Sequence, residues 1–104
     1  MSADEMGQAH ISRFERAIAV NPKDANAYFV MAYWWRFVRE YQKALHCYNI
    51  AIEFAPQCSE MLWARSTLLT SCPEPTLRNT PLALEDAITA VNARADQRNL
   101  FPGK

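Results

Sequence analysis

The chain has little glycine: only Gly7 and Gly103 occur in its 104 residues. Loops that cradle phosphate need several glycines close together, so that backbone N–H groups can approach the phosphate oxygens. Two isolated glycines exclude such a loop. Nothing in the sequence resembles a Ser/His/Asp or Cys/His set of the kind that nucleophilic catalysis uses. We therefore expect a protein that is not an enzyme and has no cofactor.

Cysteine is sparse as well. The sequence contains three cysteines, Cys47, Cys58 and Cys72, and an odd number cannot all pair in disulfides within one chain. Residues 1–10 include two acidic side chains and no apolar run, so they do not have the pattern of a signal peptide. Reduced thiols and a cytoplasmic location are expected on both grounds.

Metal ligands at suitable spacings are missing. His46 and Cys47 are neighbours in sequence, and adjacent residues on a helix point about 100° apart. No second histidine or cysteine stands at the spacing that zinc requires. We therefore predict no metal site. Cys72 directly follows a predicted helix, where the helix dipole disfavours a thiolate, so we expect it to be structural.

The chain also lacks long apolar runs and an excess of charge of one sign. Its most apolar stretch, 27–38, is interrupted by Arg36 and is shorter than the ~20 residues that span a bilayer. Basic and acidic side chains number 11 each, and the pI is about 6.7. Because no basic surface is expected, neither nucleic acid nor a membrane is a predicted partner.

What the sequence does contain is a repeat with a period of 34 residues, the separation of Pro22 and Pro56. Residues of similar size recur at this spacing: Ile11 and Leu45, Phe14 and Tyr48, Ala17 and Ala51, Ile18 and Ile52, Tyr28 and Leu62, Trp35 and Leu69. A period of about 34 residues is typical of helix–turn–helix repeats. Such units stack on one another and leave a surface that is usually used for binding.

The repeat predicts one domain, 1–104, with about five helices. Residues 1–6 are expected to be frayed, and the first helix is predicted over 7–20. Asp24 is a good N-cap for the second helix, and Thr80 followed by Pro81 favours a helix start. The predicted parts are a half repeat at 7–22, a full repeat at 25–56 with helices 25–38 and 41–54, a variant repeat at 59–92 whose first helix is 59–71, and a tail at 93–104.

The middle unit resembles the tetratricopeptide repeat (TPR) family. The residues that carry the resemblance are Tyr28, Met31, Ala32, Trp35, Tyr41, Ala44, Tyr48, Ala51 and Pro56. The resemblance implies an all-α fold of antiparallel helix–turn–helix repeats in a right-handed superhelix. About two and a half repeats are present, and the first lacks its first helix, so the chain could be part of a longer array. TPR proteins are helical scaffolds that hold other proteins.

The sequence departs from the TPR pattern at several positions. Arg39 replaces the usual turn glycine, so the turn is either less sharp or holds Arg39 at a positive φ. Arg65 and Ser66 stand where leucine and glycine are expected. The next turn is five residues longer than in the middle unit and resembles a Cys-Pro-Asp/Glu…Arg-Asn variant of some bacterial members. There Arg78 is expected to bind Glu74 or carbonyl groups at the end of the preceding helix.

The resemblance implies a concave binding groove, lined by the first helix of each unit. The residues at these positions are Asn26, Phe29, Tyr33, Arg36, Phe37, Glu60, Trp63 and Thr67. In the best-known members, Lys, Arg and Asn side chains grip a C-terminal carboxylate; here Phe29, Tyr33 and Glu60 replace them, so that ligand is not expected. We predict instead an aromatic groove for a peptide or helix of a partner protein, with Arg36 and Glu60 setting its orientation.

Several alternatives remain open at this stage. The last helix could cover the groove. Two copies of the chain could associate through the open end of the repeat array, with Phe14 and Trp34 as contacts. Alternatively, Trp34 is an ordinary core residue. His10 is expected to be packed or partly exposed. An accessory subunit of an enzyme and a small-molecule or acyl-chain pocket are further readings. The carboxylates Asp24, Glu40, Glu53, Glu85 and Asp86 are expected at caps or on solvent faces.

Overall fold

The structure, a computed structural model, describes the backbone of residues 2–99 and the side chains of residues 2–95. These residues form helices and turns and no strand, which confirms the all-α prediction. The helices are α1 (Ala3–Val20), α2 (Ala25–Phe37), α3 (Tyr41–Phe54), α4 (Ser59–Ser71) and α5 (Thr80–Asn99), with a short 3-10 helix at Pro75–Leu77. The chain divides between Ala55 and Pro56 into two compact units, an N-terminal unit (α1–α3) and a C-terminal unit (α4 and α5).

Helix α1 begins earlier than the sequence pattern predicted. The Ser2 hydroxyl accepts a hydrogen bond from the Glu5 N–H at 3.1 Å and so caps the helix. Asp4 and Glu5 add negative charge in the first turn, where the helix dipole favours it. The expectation that residues 1–6 are frayed is therefore wrong for residues 3–6. A serine followed three residues later by glutamate is a capping-box signal, and our sequence reading missed it.

Small residues let α2 and α3 pack closely in the N-terminal unit. Ala32, Ala44 and Ala51 are each 0% exposed, and Tyr48 is buried beside them. These are four of the positions on which the TPR resemblance depends. Because an alanine at a helix contact allows the backbones to approach, the pattern of small residues accounts for the α2–α3 hairpin.

The turn between α2 and α3 holds Arg39 in the left-handed region, at φ 69°. The Glu40 N–H donates to the Trp35 carbonyl at 2.9 Å, and the Arg39 N–H donates to the Arg36 carbonyl at 3.0 Å. This pair of hydrogen bonds is the Schellman motif, which usually has glycine at the position of Arg39. Of the two alternatives for Arg39, the positive φ is therefore the one observed.

Replacing Arg39 with glycine is expected to raise the free energy of unfolding by up to about 1 kcal/mol. A left-handed conformation costs a residue with a Cβ roughly 1–2 kcal/mol, and the greater freedom of glycine in the unfolded chain offsets about 0.5–1 kcal/mol of the gain. Urea unfolding followed by circular dichroism measures the change. Arg39→Ala is the control, since it removes the charge but keeps the Cβ. A gain as large from alanine as from glycine would contradict the explanation.

The two departures from the TPR pattern in α4 are explained by partners on α5. Arg65 makes two hydrogen bonds to Asp86, from Nε to Oδ2 and from Nη2 to Oδ1, each of 2.7 Å. The Ser66 hydroxyl donates to the Ala83 carbonyl at 2.9 Å. Asp86 is only 3% exposed, so the expectation that it lies at a cap or on a solvent face is wrong. A buried carboxylate requires a cation beside it, and Arg65 supplies that cation.

The extended turn before α5 is tied back to the end of α4. Arg78 Nε donates to the Cys72 carbonyl at 2.8 Å, which confirms the expected bond to a carbonyl at this helix end. The Asn79 N–H donates to the Leu69 carbonyl at 3.0 Å. Asn79 also caps α5, because its Oδ1 accepts from the Leu82 N–H at 3.1 Å. The prediction of Thr80 as the N-cap is wrong by one residue.

Helix α5 continues beyond the predicted repeat boundary at 92. It extends to Asn99, and Ala93 on it is buried. Residues 93–99, predicted as part of a tail, are therefore helical. The rest of the predicted tail, 100–104, lies outside the described residues.

Candidate binding surfaces

The residues predicted to line the groove belong to two different units of the structure. Helix α2 of the N-terminal unit carries Asn26, Phe29, Tyr33, Arg36 and Phe37, and helix α4 of the C-terminal unit carries Glu60, Trp63 and Thr67. Each unit presents a distinct surface.

The N-terminal unit has an aromatic cluster on its surface, formed by His10, Tyr33, Trp34 and Phe37. The Trp34 ring stacks on the His10 ring of α1, with centroids 4.1 Å apart and planes 7° apart. Tyr33 and Phe37 meet Trp34 edge-on, at 5.2 and 5.3 Å, and both remain exposed. Trp34 is half-buried and packs within its own unit, and His10 is packed as predicted. The contacts with Trp34 hold the exposed Tyr33 and Phe37 rings in place.

Phe29 and Arg36 make contacts inside the N-terminal unit. Phe29 is half-buried, with its ring 6.0 Å from that of Tyr48. Arg36 donates a hydrogen bond to the Tyr48 hydroxyl. Burial raises the pKa of Tyr48, and the Arg36 guanidinium partly opposes this rise. Arg36 therefore contacts Tyr48, and its role in orienting a ligand stays a prediction. Asn26 is exposed in the first turn of α2.

The C-terminal unit contains an open cleft of about 390 Å³ between α4 and α5. We call it the α4–α5 cleft; its lining residues are Ser59, Glu60, Trp63, Ala64, Ala90, Val91 and Arg94. Trp63 and Val91 are 56% and 60% exposed, whereas Ala90 is buried. Apolar side chains thus line the cleft from its buried base to its exposed rim. A concave apolar site with a few polar groups is the usual form of a binding site.

Glu60 stands in the first turn of α4 and is held by its neighbours. Its Oε1 accepts hydrogen bonds from the Ser59 hydroxyl at 3.1 Å and the Cys58 thiol at 3.7 Å. Its own backbone N–H, then these two groups and the more distant charge of Arg94, lower the pKa of the Glu60 carboxyl. The side chain is therefore ionised at neutral pH.

Thr67 contributes to helix α4 and not to the cleft. Its hydroxyl donates to the Trp63 carbonyl at 3.0 Å, and its own carbonyl accepts from the hydroxyls of Thr70 and Ser71. Of the α4 residues predicted for the groove, Glu60 and Trp63 line the cleft, and Thr67 does not. The sequence reading missed Ala90, Val91 and Arg94, because it took the groove to be built from first helices alone.

The three thiols differ in exposure, and this predicts their reactivity. Burial raises the pKa of the Cys47 thiol to about 11, with a smaller contribution from Glu15, and Cys72 is buried as well. Cys58 is half-buried at the start of α4. We expect iodoacetamide at pH 8 to modify Cys58 first and the other two thiols only after unfolding. Mass spectrometry of peptides, with and without urea, tests this order; rapid modification of Cys47 in the native protein would contradict it.

Among the described residues, no three His, Cys, Asp or Glu side chains form a group that could hold a metal ion. None of the described helices combines the length and the apolar character needed to cross a bilayer.

The fold belongs to the TPR-like class of helical repeats, as comparison with a solved structure shows. That structure is the crystal structure of MamA, which matches with a TM-score of 0.80 and 21% sequence identity. The match covers 90% of this chain and 52% of MamA, so the chain spans about half the length of that protein. Neither a protein-family model nor a curated protein sequence matches the chain.

Proposed function

We propose that this protein is a non-catalytic protein-interaction module that binds a peptide or helix of a partner protein. The observation that carries the proposal is Trp63, a large aromatic side chain left 56% exposed at the rim of the α4–α5 cleft. The exposed Tyr33 and Phe37 of the aromatic cluster are a second candidate contact surface. The TPR-like fold supports this function, because stacked helical repeats commonly present binding surfaces.

Burial of the exposed aromatic rings by a partner would contribute free energy to binding. Burial of one large apolar side chain contributes about 1.5–3 kcal/mol, and aromatic residues are enriched among those that dominate binding. Trp63 is already partly covered in the free protein, since it is 56% exposed, so a partner would order it at reduced cost. A partner that covers Trp63 would therefore gain most of this free energy.

The proposal assigns no catalytic step to the chain. Among the described residues, Asp86 and Arg65 form a close ion pair in which Asp86 is buried and Arg65 half-buried. The thiols of Cys47 and Cys72 are buried too. We place the protein in the cytoplasm, where its three unpaired thiols would stay reduced.

Quantitative affinity capture from the native cell tests the proposal. The baits are the unaltered chain, a Trp63→Ala variant, a Tyr33→Ala/Phe37→Ala variant and the control Val20→Ala, which removes an exposed apolar side chain from the end of α1. Each variant is first checked by circular dichroism for unchanged helix content. We expect a partner retained by the Val20 control and reduced about tenfold or more by Trp63→Ala. Identical proteins on all four baits would contradict the proposal.

Self-association is the second candidate function, either alone or within the assembly of a larger complex. It is favoured by Leu84, Ile88 and Val91, which are all more than half exposed and lie on one face of α5. Of the contacts predicted from the sequence, Phe14 and Trp34 are both half-buried. Light scattering across a concentration series decides the matter, with Leu84→Glu as the disrupting variant. A monomer at all concentrations would exclude this candidate.

A further inference from the structure

Arg94 differs from the other arginines of the C-terminal unit whose side chains are described. Arg65 is bound to Asp86, and Arg78 is bound to the Cys72 carbonyl. Arg94 is exposed at the cleft and, among the side chains described, makes no hydrogen bond or ion pair. Its planar guanidinium carries five donors, which suit a carboxylate. The cleft therefore presents a guanidinium that interacts with the Glu60 charge at a distance but donates no hydrogen bond to a described side chain.

The position of Arg94 relative to the apolar part of the cleft is fixed by α5. Ala90 and Val91 precede Arg94 by four and three residues on this helix, which places their Cβ atoms roughly 5–6 Å from that of Arg94. The apolar contact and the cation are thus separated by about one helical turn. A helical ligand presents two side chains at the same separation when they are three or four residues apart.

We propose that the α4–α5 cleft binds an acidic amphipathic segment of a partner protein. An apolar side chain of the segment lies against Ala90 and Val91 in the part of the cleft that Trp63 also lines, and a carboxylate one helical turn away pairs with Arg94. This inference rests on the proposed function and specifies the chemistry of the partner. It also separates the role of the two charged residues of the cleft: Arg94 contacts the ligand, and Glu60 does not.

The charges of the cleft favour a carboxylate over an amine. An amine on the ligand would be repelled by the Arg94 guanidinium, whose hydrogen-bond donors are not taken up by any described side chain. The Glu60 carboxylate attracts amines, but it already accepts hydrogen bonds from Ser59 and Cys58, so its need for a further donor is reduced. Glu60 nevertheless repels a ligand carboxylate weakly. Removal of its charge is therefore expected to strengthen the binding of an acidic ligand.

The probes are three blocked, alanine-based helical peptides of about fifteen residues, a length at which isolated helices begin to form. Each carries one leucine and, four residues later, glutamate, glutamine or lysine. Binding is followed by two-dimensional NMR of the 15N-labelled chain, through the Trp63 indole N–H and the Arg94 Nε–H. We expect the glutamate peptide to bind about threefold to fivefold more tightly than the glutamine peptide, and the lysine peptide to bind least. Higher salt should reduce the difference.

Four variants complete the experiment. Arg94→Gln is expected to abolish the preference for glutamate, and Trp63→Ala to weaken all three peptides. Glu60→Gln is expected to strengthen binding of the glutamate peptide about twofold, because it removes a repelling charge. Val20→Ala, which alters an exposed apolar residue at the end of α1 in the N-terminal unit, should change nothing.

Any one of four results would overturn the inference. They are equal affinity for the glutamate and lysine peptides, a preference that survives Arg94→Gln, perturbations confined to residues outside the cleft, or no binding by any peptide at millimolar concentration. A partner captured through Trp63 without a preference for glutamate would overturn this inference and leave the proposed function standing. A preference for glutamate without any captured partner would overturn the proposed function and leave this inference about the charge preference of the cleft standing.

Discussion

Replacement of Asp86 by alanine is expected to lower the free energy of unfolding by about 3–5 kcal/mol, one of the two largest effects of any single change discussed for this protein. The substitution removes both hydrogen bonds to Arg65 and leaves a guanidinium in a site that is 14% exposed. The Arg65 guanidinium then lies at this mostly buried site without the negative charge that compensates its desolvation. Because small domains are stabilised by only about 5–15 kcal/mol, the C-terminal unit would be largely unfolded in moderate urea.

The control for this prediction replaces both partners. Arg65→Met combined with Asp86→Leu removes the ion pair without leaving a buried charge, and it supplies an apolar pair of similar bulk. We expect most of the lost stability to return, since apolar replacement of a buried pair is often neutral or stabilising. Urea unfolding measured by circular dichroism gives all the values. A loss below about 1 kcal/mol for Asp86→Ala alone would show that the pair is not structurally important.

Replacement of Tyr48 by alanine is expected to have an effect of the same size, a loss of about 3–5 kcal/mol from the free energy of unfolding of the N-terminal unit. Tyr48 is 2% exposed, packs against Phe29 and accepts a hydrogen bond from Arg36. Removing its ring leaves a cavity between α2 and α3. The alanines at this helix contact are too small to fill that cavity. The same equilibrium unfolding experiment measures this loss.

Tyr48→Phe separates the ring from the hydroxyl. It keeps the packing and removes only the acceptor of the Arg36 hydrogen bond, so we expect a loss of about 1 kcal/mol. If phenylalanine cost as much as alanine, the hydrogen bond and not the packing would be the main contribution of Tyr48. An alanine variant as stable as the unaltered chain would contradict the central place of this residue in the core.

The helix hairpin of the middle repeat was predictable because its signals are local. Asp24 marks the start of α2, Pro56 lies just beyond the end of α3, and small residues at a fixed period mark the contact between them. The bounds of α3 and α4 were predicted correctly on these grounds. The conformation of Arg39 was also foreseeable, since the position normally requires glycine.

The core of the C-terminal unit was not predictable in the same way. Arg65 and Asp86 are 21 residues apart, with an extended turn between them, so nothing local connects them. In the sequence, Arg65 and Asp86 each have the appearance of an ordinary charged surface residue. Only the register of α5 against α4 places the carboxylate on the buried face, and that register is not readable from either residue alone.

The candidate binding surface was predictable in part for a similar reason. Glu60 and Trp63 were identified from the TPR pattern, and both line the α4–α5 cleft. Arg94 lies in a segment that was read as tail, so its place one turn beyond Ala90 was hidden until α5 was seen to extend to Asn99. The contact of Arg36 with Tyr48 was not predictable from the sequence, because it depends on packing between α2 and α3.

Photo-cross-linking from position 63 in the native cell tests the claim that this protein binds a partner through the α4–α5 cleft most directly. A photoreactive phenylalanine analogue replaces Trp63 in one chain and Val20 in the control, and adducts are identified by mass spectrometry. We predict an adduct with a second protein from position 63 that is absent from position 20. Adducts of the same kind from both positions, or only adducts between copies of this chain, would contradict the claim.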